Sequence, residues 1–83
     1  MKHYSVEMIT WNDHHFSQGS VDSEFINTLK PFVQVSVGYV VVENKKMIAL
    51  AMSINEDHQM CEVLCLIKKD IVERIILKEK EDG

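Results

Sequence analysis

Trp11, Asp13, His14 and His15 stand within five residues of one another, and no other stretch of the chain comes as close to a chemical constellation. An indole ring beside a carboxylate and an imidazole suits a flat heterocycle, which the ring would stack on and the polar pair would hydrogen-bond. The same ring could instead close one end of a core. Adjacent histidines in an extended chain point to opposite sides, so His14 and His15 do not share one metal ion without a turn between them. His58, Cys61 and Cys65 add soft donors. A nucleophilic cysteine needs an exposed thiolate beside a base, and both cysteines fall on the face of their strand that is expected to be buried, where a thiol acts as a small hydrophobe. Four residues apart on a strand, they are separated by about 13 Å, too far to bridge within it. With no acid–base pair, no nucleophile beside its base and no phosphate-binding glycine loop, the expectation is a protein without catalytic residues, cofactor or metal.

The element that must position these residues is the hairpin over residues 33–54, VQVSVGYVVVENKKMIALAMSI, folded back at Glu43-Asn44-Lys45-Lys46. Side chains alternate faces along a strand, so a pairing must set apolar against apolar. Centring the turn on Asn44-Lys45 places Val41 opposite Ile48, Tyr39 opposite Leu50, Val37 opposite Met52 and Val35 opposite Ile54, a wholly apolar face. The other face then pairs Val40 with Ala49, Gly38 with Ala51, Ser36 with Ser53 and Gln34 with Asn55. Its small residues leave room for a helix, a subunit or a ligand to come close. The polar end, with Ser36 and Ser53, reads either as the floor of a ligand site or as the solvent edge of a sheet.

Around the hairpin, residues 4–11 alternate as a first strand, and residues 12–20 form a polar, turn-rich loop. Ser20 or Asp22 caps a short helix over residues 23–29, with Phe25, Ile26 and Leu29 as its apolar stripe and Pro31 at its end. A four-residue loop at Glu56–Gln59 leads to a strand over residues 60–67, with Cys61 beside Ile54, Val63 beside Met52, Cys65 beside Leu50 and Ile67 beside Ile48. Lys68-Lys69-Asp70 makes a tight corner into a last strand over residues 71–77. These elements predict a mainly β fold: a small, strongly bent, five-stranded antiparallel barrel of the Sm or SH3 type, with one short helix between strands one and two. The runner-up is an open sheet with the helix packed on it. Residues 1–78 form one domain, and residues 79–83 a charged, flexible tail.

Eighty-three residues build one small core. A chain of this size buries roughly 60–65% of its unfolded surface, so oligomerisation is an expected supplement to its stability. First and last strands that do not close on each other pair readily with a neighbour's edge. A net charge of −4 argues against nonspecific nucleic-acid binding. The absence of an 18-residue apolar run and the polar start of the sequence predict a soluble, cytoplasmic protein with no membrane partner. The turn lysines Lys45-Lys46 and Lys68-Lys69 read as solvated charges.

Trp11-Asn12-Asp13 followed by His15, and further on Val35-Ser36-Val37-Gly38-Tyr39, resemble the W-x-D and S-V-G signatures of a family of small phage and bacterial proteins. The layout also resembles Sm-like proteins, whose family forms rings and binds RNA. The first resemblance implies a phage context, and with it a non-enzymatic homo-oligomer that counters host defence in the host cytoplasm by sequestering a nucleotide-type signal. Trp11, Asp13, His15, Ser36 and Ser53 would be its ligand-binding residues. An anionic ligand would draw on Lys30, Lys45, Lys46, Lys68, Lys69 or helix-terminal amides for positive charge. The alternatives are an inhibitor that binds a host defence protein through a sheet edge, and an Sm-like RNA ring.

Overall fold

A computed structural model describes residues 3–13 and 32–81. The helix expected over residues 23–29, His14 and His15 lie outside them. Five strands are present: β1 (Val6–Asp13), β2 (Phe32–Glu43), β3 (Met47–Ile54), β4 (Met60–Ile67) and β5 (Ile71–Lys78), with a 3-10 turn at Lys68–Asp70 joining the last two. They form one antiparallel sheet in the order β4-β3-β2-β1-β5. Among the described residues no helix is long and apolar enough to cross a membrane.

The corner at Lys68–Asp70 forces this sheet to curl. In a flat five-stranded sheet the two edges would lie about 19 Å apart, at ~4.8 Å per strand. The four peptide steps from Ile67 to Ile71 reach at most about 14 Å, and less when coiled into a 3-10 turn. The edges must therefore approach. They do not pair with each other, so the sheet is bent but open, which corrects the expected barrel.

Curling is carried by β2, twelve residues long and shared between two partners. Its stretch from Phe32 to Tyr39 pairs with β1, and its stretch from Tyr39 to Glu43 pairs with β3. A bulge between Val40 and Val42 lies within the second stretch, where an extra residue bends the strand and tightens its twist. The two halves of the sheet thus turn toward a common core of Ile9, Ile48, Leu50 and Leu66, ringed by Trp11, Val40, Leu64 and Ile71.

Strand number and the sharp corner agree with expectation, whereas both hairpin turns and their registers are displaced. Asn44 belongs to the last rung of the first hairpin: its N–H donates to the Met47 carbonyl, and its side-chain Oδ1 accepts from the N–H groups of Lys46 (2.9 Å) and Met47 (3.0 Å). The turn is therefore Lys45-Lys46, one residue later than expected. Val40, not Tyr39, lies opposite Leu50, and Ser36 lies opposite Ile9 of β1 rather than Ser53. The second hairpin is closed by Asn55 and Gln59 around three residues, with His58 in the left-handed region at φ 61°. Leu64 and Leu66 consequently lie opposite Leu50 and Ile48, and Cys61 and Cys65 are exposed instead of buried.

Gly38 shows what the small face accommodates. A methyl group built there would stand 2.9 Å from the Ala51 carbonyl oxygen and 3.2 Å from the Leu50 Cβ. The close neighbour is β3 itself. Gly38→Ala should force the two strands apart and destabilise the fold by about 1–3 kcal/mol, the usual range for overpacking. A urea-unfolding midpoint equal to wild type would show that β3 yields without cost.

Candidate functional site

Three polar assemblies are built on this sheet, and two of them are occupied with holding it together. Trp11 and Ser36, both expected at a ligand site, do come together: the indole Nε1 donates to Ser36 Oγ at 3.0 Å across the β1–β2 pair. The ring is half-buried and packs against the core cluster. This is the arrangement of a tryptophan that closes a core and satisfies its one donor internally. Asp13 ends β1 opposite Phe32. Ser53 lies opposite Cys61, on a part of β3 that pairs with β4 alone. His15 lies outside the described residues.

The second assembly is ionic. Arg74 of β5 donates from Nε to Glu7 Oε1 (2.7 Å) and from Nη2 to Glu7 Oε2 (2.8 Å). It also reaches Glu43 at the end of β2, from Nη1 to Oε2 (2.9 Å) and from Nη2 to Oε1 (3.1 Å). Lys68 Nζ approaches Glu43 Oε2 at 2.8 Å. Glu7 is buried, and the fork supplies partners for both its oxygens; a planar guanidinium meets both carboxylate oxygens at once. Hydrogen bonds from Arg74 and then Lys68 hold the Glu43 carboxyl down at about 2, while the carboxylates raise Arg74 above its already high value.

The third assembly lies where two turns meet. The Lys68 N–H donates to the Lys46 carbonyl at 2.8 Å, fixing the β4–β5 corner against the β2–β3 turn. Two adjoining depressions share Lys45, Lys46 and Ile67. One, of about 610 Å³, is floored by Met47 and Ile67 beside Asn44. The other, of about 340 Å³, extends to Lys68 and Lys69. Read one turn at a time, these lysines look like solvated charges. Their convergence was implicit in the expected pairing of Ile48 with Ile67, which already makes the two turns neighbours; the observed partner of Ile67 is Met47.

Among the described residues no group of three or more His, Cys, Asp or Glu side chains is placed to hold a metal ion. No protein-family model, curated protein or solved structure matches this chain.

Two measurements check this site. Ser36→Ala leaves the indole N–H without its partner and should cost about 1 kcal/mol in unfolding free energy, with a shift in the emission of the chain's single tryptophan. An unchanged spectrum and stability would mean that the bond contributes nothing. Glu43 binds fewer protons folded than unfolded, so its contribution to stability is full above about pH 4.5 and is lost as pH falls toward about 2. Because the carboxylate is partly exposed, solvent screening keeps that contribution modest. Glu43→Gln should flatten the acid limb of an unfolding-midpoint-versus-pH curve in this window, and a limb as steep as wild type would assign it to other carboxylates.

Proposed function

We propose that this chain is a non-enzymatic binding protein that works as a homo-oligomer, assembled by pairing the β4 edge of one copy with the β5 edge of the next. The observation that carries this is the sheet order, which leaves β4 and β5, eight residues each, without a strand partner on their outer sides among the described residues. Exposed edges of this length are templates for another strand. Apolar residues accompany them. Val63 and Ile67 on β4, and Val72, Ile75, Ile76 and Leu77 on β5, are all between 40% and 62% exposed. Against this, the buried apolar side chains among the described residues are only Ile9, Ile48, Ala49, Leu50, Ala51 and Leu66. A core this small is commonly supplemented by association.

Two copies joined β4-to-β5 still expose one edge each, so the contact is head-to-tail and ends only when a ring closes. The non-enzymatic part of the reading draws on how the polar groups are used. Glu7, Glu43, Arg74, Lys68, Trp11 and Ser36 are engaged with one another. The resemblance of Trp11-Asn12-Asp13 and Ser36-Val37-Gly38 to small phage proteins is what supports a phage setting, in which the bound molecule would be a host signal or a host defence protein.

Native mass spectrometry of the purified protein should show a discrete oligomer. Val63→Lys with Val72→Lys, which place charge on both edges, should yield monomers with an unchanged circular dichroism spectrum. A wild-type protein that is monomeric at tens of micromolar would overturn the oligomer and leave the edges to a different protein.

A further inference from the structure

The two joined depressions at the β2–β3 turn and the β4–β5 corner differ in character in a way that suggests a divided ligand. We infer that they form a binding site for a small phosphorylated molecule with an apolar or aromatic ring. Its ring would lie over Met47 and Ile67, and its phosphate among Lys45, Lys46 and Lys69. This assignment rests on the binding-protein reading but not on the oligomer.

Charge is the first argument. The four turn lysines belong to a chain whose remaining residues carry five basic against thirteen acidic side chains. Positive charge is thus concentrated at one place on an otherwise acidic molecule. A long polyanion would have to run from this patch over repelling surface, whereas a small anion fits within it. Lys68 is committed to Glu43, and Arg74 bonds both oxygens of the same carboxylate, so Glu43 opposes an anion here only weakly. Lys45, Lys46 and Lys69 are exposed, and flexible ammonium groups are suitable partners for phosphate.

Shape and rigidity supply the second argument. The apolar depression, of about 610 Å³, falls within the usual range for small-molecule sites, roughly 300–1,000 Å³. Ile67 is 53% exposed at its floor. The backbone that presents the lysines is fixed before any ligand arrives. Asn44 Oδ1 holds the N–H groups of Lys46 and Met47, and the Lys68 N–H holds the Lys46 carbonyl. Little ordering of the main chain would oppose binding.

Isothermal titration calorimetry with ATP, AMP and inorganic phosphate tests the site on the full chain. ATP should bind more tightly than AMP, AMP more tightly than phosphate, and all should weaken as salt is raised. Lys45→Glu with Lys46→Glu should weaken ATP on the order of tenfold or more while native mass spectrometry shows the wild-type oligomeric state. Lys69→Glu, on the other turn, should do the same independently. The edge variant carrying Val63→Lys and Val72→Lys should keep its affinity even as a monomer, which separates failure of the oligomer from failure of this site. No binding by any of the three probes, or equal affinity in wild type and both lysine variants, would overturn the assignment.

Discussion

Arg74 sits between carboxylates from two different strands, Glu7 of β1 and Glu43 at the far end of β2, and the shape of the sheet depends on that placement. Among the described residues β5 has one strand partner, β1. Without a further tie it would be free to swing with the edge. The guanidinium links it instead to the part of β2 that pairs with β3, so one side chain spans both halves of the bent sheet. Lys68, at the corner before β5, reaches the same Glu43. A buried carboxylate such as Glu7 costs several kcal/mol to desolvate unless it is well paired, and the two-pronged contact from Arg74 provides that pairing. Removing the arginine would leave a buried charge with nothing opposite it, a worse outcome than never having placed one there.

The bend has a consequence for packing. Because β2 serves β1 with one stretch and β3 with the next, the sheet folds over a core that is short along the strands. Gly38 lets β3 come close at the crossover, where any larger residue would meet the Ala51 backbone. The result is a tight centre and long margins: Ile9, Ile48 and Leu50 are fully enclosed, while Val33, Val35 and Val72 stand mostly in solvent. Hydrophobic residues on the outside of a sheet are ordinary singly; here several accompany two strand edges that have no strand partner among the described residues.

The existence of the five strands was legible in the sequence because it depends on local signals: Asn44-Lys45-Lys46 and Asn55-Glu56-Asp57 as turns, and Lys68-Lys69-Asp70 as a corner between two apolar runs. Register was not legible on β2 and β4. Both strands are apolar on both faces, Tyr39-Val40-Val41-Val42 in one and Val63-Leu64-Cys65-Leu66 in the other, so a shift of one residue costs little in the pattern and exchanges the faces. What decided between them was turn chemistry. Asn44 accepts two main-chain N–H groups and thereby joins the ladder, and His58 takes a left-handed conformation that shortens the second loop. Neither follows from alternation. At the candidate site the pairing of Trp11 with Ser36 was only half visible, since both residues stood out but Ser36 was assigned to the wrong neighbour.

How the polar side chains are used bears on function more than which ones are present. A catalytic centre needs acids, bases or donors held in place yet available to a substrate. Here the best-placed groups are turned toward each other: the indole N–H to Ser36, both Glu7 oxygens to Arg74, and Glu43 to Arg74 and Lys68. The surface of the described residues also carries strand edges, apolar side chains and the ammonium groups of two turns, beside the exposed thiols of Cys61 and Cys65. In the reading proposed above, the edges would serve recognition by main-chain pairing and the turns by charge and apolar contact. The ties that close the sheet also fix the basic turns in place, because Lys68 takes part in both.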